Sequence, residues 1–263
     1  MSVLVCPFCG APLRRESMSL YCTGERPHCF DIARSGYVTL TRATGTSGDD
    51  RDMVRARTAF LDSGHYLPFA MAVCDELEGC HTVIDAGCGE GYYSNIIAQR
   101  GHGVYGFDLS KHACDKAAKR AKALGTDAFF GVSSVVSLPV ANESVDAVVS
   151  LFAPIAEREF LRVLRPGGLL VIGGAGPKHL IELKRAVYSE AYENEGRRDL
   201  PLEFVLSHKK NVSYTFTCED VKNLFMMTPY VFKTSPLDAA KLDTVEKLDI
   251  TADFDIFVYK KTV

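Results

Sequence analysis

The sequence lacks any apolar run long enough to cross a membrane; its most apolar stretches, around Val145–Phe152 and Leu169–Ile172, are strand-sized. The opening MSVLVCPFCG has no basic segment leading into an apolar one, so a cytoplasmic protein is expected rather than a secreted one. Charge of one sign is also missing: 30 Lys and Arg face 33 Asp and Glu, a formal net charge of −3. That excludes attraction of a polyanion by the field of the whole molecule and leaves local basic patches to do it. There is no internal repeat. The 263 residues, 47% hydrophobic and 24% charged, suit one large folded domain, or a medium domain with a small one.

Cysteine is plentiful: nine in all, four of them in the first 40 residues. In a protein expected to be cytoplasmic they read as reduced thiols and metal ligands, not disulfides. Cys6-Pro-Phe-Cys9 forms a C-x2-C knuckle, and Cys22 with the pair His28-Cys29 follows at short range. Thiolates and imidazole at this spacing suit tetrahedral zinc, with either His28 or Cys29 as the fourth ligand. A redox C-x-x-C normally opens a helix in a βα unit, and no such unit surrounds this one. Residues 1–40 are too few to bury a core, so metal would supply much of their folding free energy.

The following ten residues, TRATGTSGDD, read as a linker starting at Thr41. Apolar Met53, Val54, Ala56, Phe60 and Leu61 predict an amphipathic helix over Arg51–Leu61, capped by Asp49 or Asp50, and a second helix over Pro68–Leu77. The domain organisation expected is therefore 1–40 as a zinc module, 41–66 as linker and helix, and 67–263 as the main domain. From there βα units repeat. Strands are expected at Thr82–Asp85, Gly103–Asp108, Ala128–Val132, Val145–Ser150 and Leu169–Gly173. Helices are expected at Tyr92–Arg100, Lys111–Leu124, Glu157–Leu164 and His179–Glu193. Such alternation implies an α/β fold with a parallel sheet between helices. Leu202–Thr217 and Asp253–Lys260 alternate like a closing antiparallel pair, with a helix over Cys218–Met226 between them.

The run from Thr82 to Ser94 carries the chemistry. A β-branched strand ends at Asp85, and Gly87, Gly89 and Gly91 alternate before a helix-like stretch. Glycines there let backbone approach a nucleoside cofactor where strand turns into helix. The spacing is G-x-G-x-G, without the extra residue of a dinucleotide fingerprint. Asp108 ends the next strand, where an acid accepts from ribose hydroxyls, and Ser110 is placed to cap the helix after it. Together with Val163-Leu-Arg-Pro-Gly-Gly168, these elements resemble the motifs of Rossmann-like class I S-adenosylmethionine (SAM)-dependent methyltransferases. That resemblance implies SAM as methyl donor and Phe130–Pro139 as the loop that lines its adenine. Cys88, inside the turn, is read as a small apolar residue.

Longer phrases narrow the resemblance: Cys6-Pro-Phe-Cys9, Tyr21-Cys22, His28–Leu40, Gly48-Asp49, Ala56-Arg57, Phe60–Tyr66, Cys88–Tyr93, Phe152-Ala-Pro154, Gly176–Lys184 and Met227-Thr-Pro229. Nearly the whole chain is similar to bacterial 23S rRNA (guanine-N1)-methyltransferases of the RlmA type, a family that includes macrolide-resistance enzymes. The resemblance implies zinc on Cys6, Cys9, Cys22 and His28, and SAM contacts at Tyr66, Gly91, Tyr92 and His179. It implies a homodimer whose zinc modules help form a cleft for a 23S rRNA hairpin, with neither DNA nor membrane as partner.

The acceptor can be narrowed from the fourth strand. Ser150-Leu-Phe-Ala-Pro154 is not the Asn/Asp-Pro-Pro-aromatic box of amine and amide methylation, and no Pro-Cys or Thr-Cys nucleophile follows it. Guanine N1 carries a proton that must leave, and His179 and Asp146 are bases by type alone. Phe152 either stacks on a flipped base or packs in the core. Basic residues available to RNA are Arg14, Arg15, Arg34, Arg42, Arg51, Arg55 and Arg57 near the zinc module, then Lys178, Lys184, Arg185, Arg197 and Arg198. The alternatives are a small-molecule methyltransferase on the same fold and a non-catalytic zinc-containing RNA-binding protein. Replacing the ribose acceptor, Asp108→Ala, is expected to weaken SAM binding about tenfold or more in calorimetry; unchanged affinity would refute the role.

Overall fold

The computed structural model describes residues 3–41, 51–195 and 203–262. The expected caps Asp49 and Asp50, nearly all of the linker, and Arg42, Arg197 and Arg198 lie outside the described residues. The N-terminal segment forms three short antiparallel strands, β1 (Leu13–Glu16), β2 (Ser19–Cys22) and β3 (Cys29–Asp31). A two-residue strand, β4 (Val38–Thr39), then leaves this ribbon for the main sheet. Helices α1 (Arg51–Asp62) and α2 (Leu67–Asp75) follow, close to their expected bounds.

The βα series is β5 (Thr82–Ala86), α3 (Tyr92–Gln99), β6 (Gly103–Asp108), α4 (Lys111–Leu124), β7 (Phe129–Val132), β8 (Val145–Leu151), α5 (Glu157–Val163) and β9 (Leu164–Ala175). Helix α6 (Ile181–Val187), β10 (Phe204–Cys218), α7 (Val221–Met226), α8 (Pro236–Ala239) and β11 (Leu248–Lys261) complete it. Among the described residues the main sheet has eight strands in the order β10-β11-β9-β8-β5-β6-β7-β4. The strands from β9 to β4 run parallel, and β11 lies antiparallel between β9 and β10. The order reverses at β5, so the carboxyl ends of β5 and β8 open the crevice in which such sheets hold ligands.

Local signals explain why β6 and α4 match expectation to the residue. The Ser110 Oγ accepts from the Ala113 N–H at 3.3 Å at the start of α4, and Gly125 ends it in the left-handed conformation at φ 67°. Two expectations failed on tertiary grounds. The helix expected over His179–Glu193 covers only Ile181–Val187. Leu180 is left-handed at φ 56°, its N–H donating to the Thr251 oxygen of β11, and the chain after Tyr188 folds back. The buried Lys184 holds that return, donating to the Tyr192 oxygen at 2.9 Å and Asn194 Oδ1 at 2.7 Å. The strand expected over Leu169–Gly173 starts earlier, at Leu164, and takes in Arg165–Gly168 as a bulge, because Val145 pairs Leu164 whereas Ala147 pairs Leu169.

Two apolar layers cover the sheet. One gathers α2, α3, α6 and α7 around Phe69, Val149 and Phe254. The other joins Leu4, Leu13, Leu20, Phe30, Val38 and Leu40 of the ribbon to Ile84, Phe107, Val140 and Phe160 of the main fold, so ribbon and sheet share one core. In the first layer Phe254 is wholly buried, stacked on Phe69 at 4.3 Å and edge-on to Tyr66 at 4.8 Å. Truncating it, Phe254→Ala, is expected to cost about 3–5 kcal/mol of stability by denaturant titration; a loss below about 1 kcal/mol would contradict its central place.

Candidate cofactor site and metal centre

The strand β5 delivers Asp85 and then a turn in which Gly87, Gly89 and Gly91 all take positive φ, at 85°, 52° and 75°. Two of them are also sterically required. A Cβ on Gly87 would stand 2.5 Å from the Ala153 Cβ, and one on Gly91 2.6 Å from the Ala117 Cβ of α4. The turn hangs on β6, with the Gly87 and Cys88 N–H groups donating to the Phe107 oxygen at 2.8 and 3.1 Å. Asp108, at the end of β6, accepts from the Gly89 N–H at 3.1 Å and the Ser110 N–H at 2.8 Å. The two expected acids therefore flank one glycine cradle, with Asp108 half-buried at its rim and Asp85 fully buried beneath it.

Asp85 points inward: Ser94 Oγ donates to its carboxylate at 2.5 Å, and burial lifts the carboxyl to about 7. Tyr92 opens α3, buried, with the Arg120 guanidinium 5.7 Å over its ring. The Arg57 guanidinium of α1 comes within 3.6 Å of where a Gly89 side chain would stand. Cys88 is buried and burial pushes its thiol well up, consistent with a packing residue.

Tyr66 and His179, far apart in sequence, meet across the crevice with Tyr66 Oη and His179 Nε2 at 3.1 Å. The Asp253 N–H donates to His179 Nδ1 at 3.3 Å. That acceptor role puts the ring proton on Nε2, from which it is donated to the tyrosine oxygen. Burial drives the imidazole down to about 3, so it stays neutral and has no lone pair left to act as a base. Phe152, half exposed, lies beside this pair in a left-handed conformation at φ 54°, its ring 5.7 Å from Phe69 and 6.3 Å from His179. Positive φ at a bulky non-glycine residue is strained backbone. Asp146, a base by type, is at the wrong end. It starts β8, accepts from the His81 and Thr82 N–H groups at 2.6 and 2.8 Å, and pairs with Arg165 at 2.9 Å.

Sequence reasoning did not find Phe69, Asp253 and Phe254 as parts of this surround. The alternation of β11 sends its side chains to the two faces in turn, but which face meets the crevice depends on the pairing of Phe254 with Ala175.

In the ribbon, Cys6, Cys9, Cys22 and His28 bring their donor atoms within 4.8 Å of one another, and Cys29 is not among them. Tetrahedral bonds of about 2.3 Å to sulfur and 2.0 Å to nitrogen set donor atoms about 3.5–3.8 Å apart. The Cys9 and Cys22 sulfurs are 3.7 Å apart, and His28 Nδ1 is 3.5 Å from Cys6 Sγ and 3.4 Å from Cys22 Sγ. The Phe8 N–H donates to Cys6 Sγ at 3.4 Å and the His28 N–H to Cys22 Sγ at 3.0 Å; the latter bond holds the Cys22 thiol down to about 6. Three thiols and an imidazole at these distances fit Zn2+. Cys29 is exposed because its pairing with Tyr21 in β2–β3 turns it outward.

A Rossmann-like sheet with a glycine cradle between two acids, joined to a Cys3His cluster, defines a SAM-dependent methyltransferase carrying a zinc ribbon. The family profile described as "Methyltransferase domain" matches residues 83–168, and that described as "RlmA, N-terminal", a zinc ribbon, matches residues 4–42. A 23S rRNA (guanine(748)-N(1))-methyltransferase from Streptomyces fradiae is 36% identical over 193 residues, covering 70% of this chain and 67% of its own. A putative 23S rRNA (guanine-N(1)-)-methyltransferase from Bacillus subtilis is 29% identical and covers 99% of this chain and 98% of its own. The solved structure of a putative methyltransferase from Bacillus halodurans C-125 shares the fold, with a TM-score of 0.52 at 16% identity over 74% of this chain and 97% of its own. The chain belongs to the RlmA-type 23S rRNA (guanine-N1)-methyltransferase family.

Asp85 yields a pH test. Its folded value lies above the unfolded one of 3.8, so native stability is favoured below that value and lost as pH rises toward 7. Asp85→Asn keeps an acceptor for Ser94 but no charge. It is expected to melt above wild type at about pH 8, the difference closing as pH falls toward about 4. A difference independent of pH would contradict the buried, protonated carboxyl.

Proposed function

We propose that this protein transfers a methyl group from SAM to N1 of a guanine in 23S rRNA. The observation that carries the reading is the end-to-end match to the Bacillus subtilis relative, over 99% of a chain in which a zinc ribbon precedes a methyltransferase domain. SAM supplies an electrophilic methyl on its sulfonium. The chain's residues bind and align: Gly87, Gly89 and Gly91 bring backbone to the cofactor, Asp108 accepts from its ribose, and Asp85 braces the turn from below. Tyr66, Tyr92 and His179 complete the cofactor pocket. Because His179 Nε2–H is given to the Tyr66 oxygen, the tyrosine proton is free to be donated to an anionic group of the ligand.

Phe152 is assigned to the acceptor base. Its half-exposed ring lies next to Ala153, which packs on Gly87, so a flipped base stacked there reaches the cofactor turn. The guanine N1 proton leaves to a group other than His179 or Asp146, for the reasons of tautomer and position given above. Zinc held by Cys6, Cys9, Cys22 and His28 fixes the ribbon, which presents Arg14, Arg15 and Arg34 to RNA. The assembly proposed is a homodimer acting on an rRNA hairpin in the cytoplasm, each chain organised as 1–40, 41–66 and 67–263. Among the described residues no helix is long and apolar enough to cross a membrane.

Incubation with labelled SAM and unmodified 23S rRNA fragments should yield 1-methylguanosine on nucleoside analysis. Labelling of a small molecule that survives nuclease treatment, or no transfer to any rRNA hairpin, would sink the reading.

A further inference from the structure

We propose that the groove between α1 and α4 binds the phosphate backbone of the RNA substrate, at a site separate from the cofactor crevice. The proposal rests on the RNA reading above and adds to it where the strand runs. The groove has a volume of about 450 Å³ and is lined by Arg51 and Arg55 from α1 and by Lys116 and Lys119 from α4. Arg51 and Arg55 are one helical turn apart, and all four cations are exposed. One carboxylate, Asp115, faces them and is taken by Lys119 at 2.6 Å. Arg55 reaches Asp52 only at 3.8 Å, with both side chains largely in water, so that pair is screened and readily exchanged for a phosphate. A chain with a net charge of −3 thus concentrates four positive groups at a cleft lined by one carboxylate, with Asp52 a second one beside Arg55.

The lining specifies the ligand. Guanidinium and ammonium groups side by side along one cleft match the repeated anionic oxygens of a phosphodiester backbone.

The position favours a polymer over a free anion. The zinc ribbon packs on α4 beside the groove: Lys122 Nζ donates to the Arg34 oxygen at 2.6 Å, and Tyr37 packs against the cluster that includes Ala117 and Ala118. The groove and the ribbon therefore flank one helix, and a strand lying in the groove continues onto the ribbon's basic edge. The inward face of the same helix supports the cofactor turn through Ala117 and Gly91. RNA seated in the groove thus rests on the helix that shapes the cofactor site.

The test uses the full chain with an unmodified 23S rRNA fragment, measuring binding at several salt concentrations, kcat and KM, and SAM affinity by calorimetry. The Arg55→Ala/Lys116→Ala double variant should raise KM for RNA about tenfold and flatten the slope of log affinity against log salt by about 1.5. SAM affinity should not change. Equal salt slopes and KM in wild type and double variant would overturn the groove, as would a loss confined to kcat. A wild type that binds RNA with the steeper slope yet forms no 1-methylguanosine supports the groove and refutes the reaction instead.

Discussion

The structure depends on the backbone pairing that ties the zinc ribbon to the edge of the cofactor sheet. Val38 and Thr39 run parallel to Gly131 and Val132 of β7, and the Leu40 N–H donates to the Val132 oxygen. On the other side of the ribbon, Leu4 bridges Val140, and the Val5 N–H donates to the Pro139 oxygen. The segment from Ser133 to Pro139, within the Phe130–Pro139 stretch expected to line the adenine, is thereby clamped at both ends by ribbon residues. The ribbon's apolar side chains complete the core beneath Ile84 and Phe107, and the Phe107 oxygen holds the glycine turn. A segment too short to own a core has become part of a larger one, with a metal cluster fixing the part that the sheet does not reach.

Within the crevice, packing sets the chemistry. The stack of Phe69 on Phe254 supports Tyr66, His179 and Phe152 together, and β11 supplies both the central aromatic ring and the N–H that fixes the histidine tautomer. Desolvation then keeps His179 neutral and holds the Tyr66 hydroxyl well above its ordinary range, so the pair acts by hydrogen bonding and not by charge. The left-handed Phe152 and Leu180 are the backbone strain that this arrangement carries.

The sequence made legible what local chemistry encodes. The acids, the glycines and the Ser110 cap could be read directly, because strand, turn and helix there obey nearest-neighbour rules. The choice between His28 and Cys29 was not legible from spacing, since it turns on the register of β3 with β2, a long-range pairing. The end of the helix after His179 was hidden for the same reason, as β11 draws Leu180 out of helical geometry. Asp146 looked like a base only while its end of the strand was ignored. The α1–α4 groove has no sequence signature at all, because no spacing rule links Arg55 to Lys116.

The shared core and the paired edge make zinc, ribbon and glycine turn one folding unit. Hydrogen exchange on the zinc-loaded and chelator-stripped protein is the decisive measurement. Stripping the metal is expected to speed exchange beyond the ribbon, in β7, in the Ser133–Pro139 loop and in the Gly87–Gly91 turn. Faster exchange confined to residues before Val38, with the cofactor turn equally protected in both forms, would contradict it.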